Sequence, residues 1–380
     1  GNIHSKLPKQ DTSIFAVMTA LANEFNAINL SQGFPDFEIS GKLIELVNRY
    51  MKKGCNQYAP MIGVRELREE IVKKVDFMYG TIYNPEREIN ITAGATQALF
   101  TAIAATIREE DEVIVFEPAY DSYVPVIKLY GGIVKYIKLR LPDYHIDWQE
   151  VKKLVNRRTR MIIINSPHNP TGSILKQDDL QQLEKLTQNT DIVVLSDEVY
   201  EHLIFDRQKH ESICRYPGLV ERSFMVGSFG KTFHATGWKL GFILAPENLM
   251  EEFRKIHQFV VFASNTPIQY AIAEFLTDRT NYEDLGFFYQ KKRDYFADLI
   301  KPSRFKIIPS YGTYFQLLDY SNISDEPEKD FAIRLVKEHK IATIPVSVFY
   351  HENIDHHVLR FCFAKKEETL NRAAEILCRI

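Results

Sequence analysis

The amino-acid sequence predicts an α/β protein in which a three-layer α/β/α domain, built around a mostly parallel sheet, is joined to a smaller α+β domain. The first observation is length, because 380 residues exceed the usual size of one hydrophobic core. The second is that short apolar runs alternate with segments of helical periodicity from about residue 88 onward. The third is that these runs are rich in β-branched residues and end after a few positions, as buried parallel strands do.

The region before the sheet is expected to contain two helices and a turn. The apolar residues at 14–18 have the spacing of a short helix, and residues 31–37 form a turn that contains two aromatic residues. An amphipathic helix is predicted to start at Gly63 and to continue to about Val75.

The sheet itself is predicted from six apolar runs. They lie at residues 89–92, 113–116, 161–164, 192–195, 224–226 and 240–244. Helices are expected between them, for example at residues 96–108 and 178–186.

The last third of the chain changes pattern. Helices are expected at residues 249–276 and 285–299, and the first should break before Pro267, because proline disfavours the helical conformation of its predecessor. From about residue 302 the predicted order is strand, strand, helix, strand, strand, helix. We therefore expect a large domain at 36–285 and a small domain at 286–380, with residues 1–35 joining the small domain.

Composition favours small-molecule chemistry. The 47 basic and 50 acidic residues are scattered along the chain, which gives no reason to expect a nucleic-acid or membrane partner. No apolar run approaches the roughly 18 residues of a membrane helix, and no signal-peptide pattern is visible. Four cysteines without C-x-x-C spacing argue against a disulfide framework and a zinc site, so we expect a cytoplasmic protein.

Polar residues follow the predicted strands, at the edge where open parallel sheets bind ligands. They are Gly94, Ala95 and Thr96, Tyr120, Asn169, Asp197, Tyr200 and Lys231. Each alone has an ordinary interpretation as a helix start, a turn or a cap. Together, an anion-binding helix start, an aromatic ring, an amide, a carboxylate, a phenol and a lysine suit a phosphorylated aromatic aldehyde, and pyridoxal phosphate requires these groups.

The lysine lies on a glycine turn, Ser-Phe-Gly-Lys-Thr-Phe at residues 228–233. Gly230 is expected to adopt a backbone conformation that a Cβ atom resists. A plain surface lysine is the alternative. A nucleotide phosphate loop is excluded because that motif needs a glycine where Met225 stands, and no G-x-G-x-x-G of a nicotinamide dehydrogenase follows the first strand.

Several motifs resemble those of class I pyridoxal-phosphate aminotransferases, which have fold type I. These are Asn-Pro-Thr-Gly at 169–172, Ser-Asp-Glu-Val-Tyr at 196–200, and the lysine turn with Gly-Trp-Lys at 237–239. Residues 31–37, 56–58 and 360–365 are most similar to the branch of kynurenine aminotransferases (glutamine transaminase K) and bacterial methionine aminotransferases. The similarity covers essentially the whole chain.

The resemblance implies roles around the cofactor ring. Lys231 would form the Schiff base and then move the proton between substrate Cα and the cofactor. Asp197 would pair with the pyridine nitrogen, Asn169 and Tyr200 would hydrogen-bond the ring oxygen, and Tyr120 would stack on the ring.

The resemblance also implies a phosphate site shared by two subunits of a homodimer. The amides of Ala95 and Thr96 would bind the phosphate together with Ser228 and Lys239, and Tyr58 would come from the second subunit. Lys239 stands where class I enzymes at large have arginine, and it replaces a bidentate fork with a point charge.

For the substrate, the resemblance implies that Arg360 binds the α-carboxylate with help from Gly33 and Asn169. The candidate pocket walls are Phe15, Phe34, Tyr58, Tyr120 and Phe262. These aromatic walls suggest a large neutral substrate such as methionine, phenylalanine, tyrosine, kynurenine or glutamine, and a dicarboxylate stays open as an alternative.

The function implied is therefore amino-group transfer from a large neutral amino acid to a 2-oxo acid by a ping-pong mechanism. One alternative is a C–S β-lyase, which would use the same cofactor and lysine to release pyruvate and ammonia. Another is a non-catalytic protein of the same fold, which would be expected to lack Lys231 or Arg360. His351, His356 and His357 are interpreted as solvated loop residues and not as metal ligands, since no H-E-x-x-H motif is present.

Overall fold

The computed structural model describes residues 1–380. The strands are β1 (Ile28–Asn29), β2 (Ile89–Thr92), β3 (Glu112–Glu117), β4 (Ile133–Lys138), β5 (Thr159–Asn165), β6 (Val193–Asp197), β7 (Ser223–Ser228), β8 (Gly241–Leu244), β9 (Lys306–Ile308), β10 (Phe315–Asp319), β11 (Ile341–Ala342), β12 (Ile344–Pro345) and β13 (Val358–Cys362). The helices are α1 (Ile14–Glu24), α2 (Gly41–Lys52), α3 (Arg65–Tyr79), α4 (Gly94–Thr106), α5 (Tyr123–Leu129), α6 (Trp148–Leu154), α7 (Gln177–Thr187), α8 (Pro217–Val220), α9 (Phe229–Thr232), α10 (Glu247–Val260), α11 (Thr266–Leu276), α12 (Thr280–Glu283), α13 (Leu285–Ile300), α14 (Glu328–His339) and α15 (Glu367–Cys378). None of the helices has the length and hydropathy that a membrane crossing requires.

The central sheet has seven strands in the order β2-β8-β7-β6-β5-β3-β4. Only β8 runs against its neighbours, β2 and β7, and all other pairs are parallel. Because β8 is reversed between them, β2 points the same way as β3 to β7, and the carboxyl ends of these strands meet at one edge. The predicted α/β class and mostly parallel sheet are confirmed, and all six predicted runs are strands.

Strand β4 was not predicted. It is the outer strand of the sheet, and most of its side chains are partly or fully exposed. An edge strand that is solvated on one side has no continuous apolar run, so the pattern that revealed the buried strands is absent there.

A second sheet of four antiparallel strands, in the order β12-β13-β10-β9, is built from the last third of the chain. The predicted order was wrong in one respect, because three strands and not two lie between α14 and α15. Two of them, β11 and β12, have two residues each, which is too short to give a periodic pattern. The predicted break before Pro267 is confirmed, since α10 ends at Val260 and α11 begins at Thr266.

The amino-terminal segment pairs with the carboxyl-terminal part of the chain. Ile28 lies opposite Ile341 and Asn29 opposite Ala342 in a short parallel pair. This pairing supports the proposal that residues 1–35 belong with a small domain at 286–380 and that residues 36–285 form the large domain.

A buried ion pair anchors the segment that follows β6. Lys74 Nζ on α3 lies 2.6 Å from Glu201 Oε1, and the Tyr79 hydroxyl donates to Glu201 Oε2 at 2.7 Å. Burial by itself raises the pKa of Glu201, but attraction to Lys74 and His202 outweighs it and holds this pKa well below its ordinary value. Helix α3 therefore fixes the segment that also carries Asp197 and Tyr200.

Replacing Lys74 by methionine should destabilise the fold, because it leaves a buried carboxylate without its cation. We expect Lys74→Met to lower the free energy of unfolding by about 3–5 kcal/mol at neutral pH, measured by urea denaturation. Since the pKa of Glu201 is depressed in the folded state, the deficit should persist above the ordinary carboxyl pKa of about 4.3 and shrink at lower pH. The matched control is Lys73→Met at an exposed position, where the change should stay within about 0.5 kcal/mol. A deficit that stays constant down to pH 3 would contradict this account.

Candidate active site

A cavity of about 150 Å³ lies at the carboxyl edge of the central sheet. It is lined by all the residues predicted to bind the cofactor from within one chain, namely Ala95, Thr96, Tyr120, Asn169, Asp197, Tyr200, Ser228, Lys231 and Lys239. A larger cavity of about 330 Å³ shares Asn165 with it but contains neither Lys231 nor Asp197. The smaller cavity is the candidate active site because the chemically active groups converge there.

One end of the cavity is suited to an anion. Helix α4 begins there without a side-chain cap, so the amides of its first turn are free to bind a ligand. Gly94, the first residue of this helix, has a φ of +79°, and a Cβ atom on it would lie 3.2 Å from Lys239 Cδ. Glycine at this position lets the Lys239 chain cross the start of the helix.

Lys231 lies on the short helix α9, directly after β7. Ser228 caps this helix, since its Oγ accepts a hydrogen bond from the Lys231 amide at 3.2 Å. The expectation of an unusual conformation at Gly230 was wrong, because its φ is not positive. Instead, a Cβ atom there would lie 3.1 Å from Thr236 Cα and 3.3 Å from the Ala235 carbonyl oxygen, so glycine allows a close backbone approach.

The Lys231 amine is held by two oxygens. Its Nζ donates to the Gly33 carbonyl at 2.9 Å and to the Tyr314 hydroxyl at 3.3 Å. Burial and the positive charge of Arg360 lower the pKa of Lys231 to about 8. An amine with this pKa can act as a base near neutral pH.

Asp197 is a buried carboxylate, 4% exposed, at the end of β6. It accepts hydrogen bonds from the Tyr123 hydroxyl at 2.5 Å and from the Val199 amide at 3.3 Å. Burial raises the pKa of Asp197 to about 6 even though both bonds favour the charged form. This carboxylate makes no salt bridge within 4.0 Å, as expected of a group that pairs with a ligand.

Tyr123 was missed by the sequence reasoning. It lies three residues after Tyr120, and the two rings meet edge to face with centroids 5.7 Å apart. The pairing of two tyrosines after β3 was the available signal, but nothing local indicated which of them reaches Asp197.

Tyr200 is fully buried beside the lysine. Its ring centroid lies 5.7 Å from Lys231 Nζ and 5.3 Å from the Tyr314 ring. Burial raises the pKa of Tyr200, so its hydroxyl stays protonated and can donate a hydrogen bond.

Arg360 is 1% exposed and lies on β13. Its Nη1 donates to Asn169 Oδ1 at 2.8 Å and its Nη2 donates to the Ser31 carbonyl at 2.9 Å, while Nε has no partner. The guanidinium lies 3.8 Å from the centroid of the Phe315 ring and 5.3 Å from that of Phe15. A buried cation among aromatic rings, with no carboxylate within 4.0 Å, is suited to bind the carboxylate of a ligand.

Tyr58 and Phe262 are not brought into this cavity. Tyr58 is 84% exposed and Phe262 is 43% exposed, and their rings meet edge to face with centroids 5.3 Å apart. Neither residue lines the cavity of its own chain. Within one chain neither residue reaches the predicted site, and of the two only Tyr58 was expected to act from a second subunit.

His351 is an exposed loop residue, as expected, and it also contacts the central sheet. Its Nδ1 lies 2.8 Å from the buried Glu117 Oε1, and its ring stacks on Tyr136 with centroids 3.5 Å apart. His351 is therefore part of a packed contact between the loop and the central sheet. No group of three or more histidine, cysteine or acidic residues is arranged to hold a metal ion.

The residues present fit pyridoxal phosphate. The free amides at the start of α4 and the Lys239 ammonium suit its phosphate, and Asp197 suits its ring nitrogen. The Lys231 amine, with its lowered pKa, suits its aldehyde. Each group of the cofactor thus has a complementary group in one cavity.

Comparison with known proteins agrees with this chemistry. The family model of class I and II aminotransferases matches residues 26–377. The chain belongs to this family. Its members depend on pyridoxal phosphate, and this chain is a pyridoxal-phosphate-dependent aminotransferase.

Relatives of this aminotransferase match nearly its whole length. The methionine aminotransferase of Escherichia coli is 47% identical over 374 residues, which are 98% of this chain and 97% of that protein. The kynurenine–oxoglutarate transaminase 1 of Mus musculus is 32% identical over 97% of this chain and 95% of its own. A crystal structure of an Escherichia coli protein identified as a methionine aminotransferase superposes with a TM-score of 0.98, at 46% identity and full coverage of both chains. The predicted family, fold type and transaminase activity are confirmed, and the β-lyase alternative is not favoured.

Removing the Tyr123 hydroxyl should weaken cofactor binding. Without its donor, the Asp197 carboxylate is less stable in its charged form and pairs less well with a protonated ring nitrogen. A hydrogen bond to a charged group contributes roughly 1.5–3 kcal/mol, so the dissociation constant of Tyr123→Phe for pyridoxal phosphate should rise by a factor of roughly 10–100. Fluorescence titration of the cofactor-free protein measures it. The control is Tyr130→Phe at a partly exposed position, and equal affinities for the two variants would refute the role of Tyr123.

Proposed function

We propose that this aminotransferase moves the amino group of methionine, or of another large neutral amino acid such as an aromatic one or kynurenine, to a 2-oxo acid by a ping-pong mechanism. The observation that carries the proposal is Arg360, a buried guanidinium surrounded by the rings of Phe15, Phe315 and Phe349. It offers one carboxylate site within apolar walls, which suits an amino acid with a neutral side chain. The 47% identity to a methionine aminotransferase supports this choice.

Pyridoxal phosphate supplies an aldehyde that bonds to an amine and a protonated ring that accepts the electron pair left at substrate Cα. Arg360 orients the α-carboxylate, and Lys231 Nζ takes the proton from Cα and returns one to the cofactor carbon. With a pKa of about 8, roughly a tenth of the Lys231 amine is unprotonated at pH 7. Asp197 would hold the proton at the ring nitrogen of the cofactor, while Tyr200 and Asn169 would hydrogen-bond its ring oxygen.

The phosphate would be bound by the amides of Ala95 and Thr96, the Ser228 hydroxyl and the Lys239 ammonium. All four residues line one end of the same cavity. These residues would hold the cofactor by its phosphate throughout the reaction, independently of Lys231.

We propose that the enzyme is a homodimer with shared active sites. Tyr58 and Phe262 lie near two further exposed apolar residues, Phe259 at 84% exposure and Val260 at 49%. Exposed apolar residues that are clustered in this way are typical of an interface. A second copy seated on them would carry Tyr58 toward the phosphate site of its partner, as the family resemblance implies.

We also propose a cytoplasmic location. All four cysteines are free thiols, and two of them, Cys214 and Cys362, are buried. Free thiols are typical of a reducing compartment.

An amino-donor and 2-oxo-acid panel tests the substrate class. Methionine and aromatic amino acids should give a higher kcat/KM than aspartate, because the aromatic rings around Arg360 suit an apolar side chain better than a second carboxylate. Lys231→Ala should lower kcat by a factor of roughly 10²–10⁴, and Lys231→Arg should not restore it, since a guanidinium keeps the charge but cannot act as a base. A cysteine conjugate tested without a 2-oxo acid should release little pyruvate. Preference for aspartate, or full activity of Lys231→Ala, would refute the proposal.

Mixing two variants tests the shared site. Lys231→Ala and Tyr58→Ala should each be impaired, but random re-pairing of equal amounts leaves one intact site in half of the dimers. We therefore expect the mixture to regain about a quarter of the wild-type activity. Recovery no greater than the mean of the two separate variants would show that Tyr58 does not act across the interface.

A further inference from the structure

Tyr314 contacts the Lys231 amine and has no role in the sequence-based interpretation. It lies just before β10 and is 0% exposed. Its hydroxyl accepts a hydrogen bond from Lys231 Nζ at 3.3 Å and donates one to the Gly33 carbonyl, which also accepts from Lys231 at 2.9 Å. Lysine, tyrosine and carbonyl therefore form a closed triangle of hydrogen bonds.

We propose that Tyr314 is a positioning residue, whose hydroxyl acts with the Gly33 carbonyl to hold the free amine of Lys231 in the orientation that exchanges a proton with the substrate. The inference rests on the proposed role of Lys231 as the base. It adds that two hydrogen-bond acceptors, the Tyr314 hydroxyl and the Gly33 carbonyl, orient the Lys231 amine.

The geometry of the amine nitrogen determines this orientation. An unprotonated amine has two N–H groups and one lone pair in a tetrahedral arrangement. When the Gly33 carbonyl and the Tyr314 hydroxyl accept hydrogen bonds from the two N–H groups, the lone pair points away from both oxygens. A base in this position keeps one orientation, which reduces the entropy cost of proton transfer.

The Tyr314 hydroxyl is itself held rigidly. Its ring packs against those of Tyr200, Tyr289 and Phe315, with centroid distances of 5.3, 5.6 and 5.1 Å. Burial raises the pKa of Tyr314 well above its ordinary value, so the hydroxyl keeps its proton and donates it to Gly33. Tyr314 thus positions the amine and does not compete with it as a base.

The Gly33 carbonyl connects the orientation of the Lys231 amine to substrate binding. Two residues earlier, the Ser31 carbonyl accepts a hydrogen bond from Arg360 at 2.9 Å. The same short segment therefore touches both the guanidinium for the substrate carboxylate and the amine that moves the proton. Movement of this segment would change both contacts together.

Tyr314 is neutral, so the charged groups that shift the pKa of Lys231 are other residues. Arg360 on β13 and Lys239 before β8 repel its positive charge, whereas the Asp197 carboxylate on β6 favours it; the Cys362 thiol on β13 is also titratable, but burial raises its pKa and keeps it neutral. If Tyr314 also stabilises the ammonium by accepting its hydrogen bond, then removing the hydroxyl should lower the pKa of Lys231 below that of the wild type.

The test is Tyr314→Phe, which keeps the ring and leaves the Gly33 carbonyl bonded to Lys231. We expect kcat with methionine to fall about tenfold with little change in KM, and the isotope effect with Cα-deuterated methionine to increase, because proton transfer becomes slower. In the cofactor-free protein, the rate at which an amine-reactive label modifies Lys231 is followed against pH by peptide mass spectrometry. The midpoint should be lower than in the wild type by roughly 0.5 to 1.

The matched control is Tyr320→Phe, because Tyr320 is also fully buried and its hydroxyl donates to the Glu326 carbonyl at 2.6 Å. It should behave like the wild type in both measurements. A Tyr314→Phe enzyme with wild-type kcat, isotope effect and labelling midpoint would overturn the role of Tyr314, while an inactive Lys231→Ala would leave the proposed function intact. Full activity of Lys231→Ala would overturn both.

Discussion

The site depends on buried charges that make no salt bridge within the protein. Arg360 is almost fully buried with no carboxylate within 4.0 Å, and Asp197 is buried with no cation within 4.0 Å. Such charges are costly unless a ligand completes them. The basic ring nitrogen of a bound cofactor would neutralise Asp197, and the carboxylate of a bound substrate would neutralise Arg360. The rest of the fold must therefore hold the charges close to one cavity and prevent them from pairing with each other.

The segment after β6 shows how the fold does this. Asp197 and Tyr200 reach the cavity, while Glu198 and Glu201 enter buried contacts on the other side. Glu198 Oε1 lies 2.7 Å from His210 Nε2, and Glu201 pairs with a lysine of α3 at 2.6 Å. Neighbouring residues of one short segment thus serve the site and its anchor, so the position of a bound cofactor would depend on buried polar contacts that never touch it.

The amino-terminal segment plays the corresponding role for the substrate. It pairs with β11 through Ile28 and Asn29, and its next residues present the Ser31 and Gly33 carbonyls to Arg360 and Lys231. Backbone carbonyls are fixed acceptors, so the orientation of both side chains follows from where this segment lies. Closure of the segment over the cavity would exclude water while completing the base and the carboxylate site.

The sequence by itself determined the α/β class, the six buried strands, the family and the polar residues at the sheet edge. These properties are local, because a buried strand is a continuous apolar run and its ligand-binding residue follows within a few positions. Tertiary structure alone decided that Tyr123 meets Asp197, 74 positions later, and that Lys231 meets Tyr314, 83 positions later. It also placed the exposed edge strand β4 and showed that Gly230 serves a close backbone contact. No periodicity or spacing records such contacts, since they arise only when packing brings distant segments together.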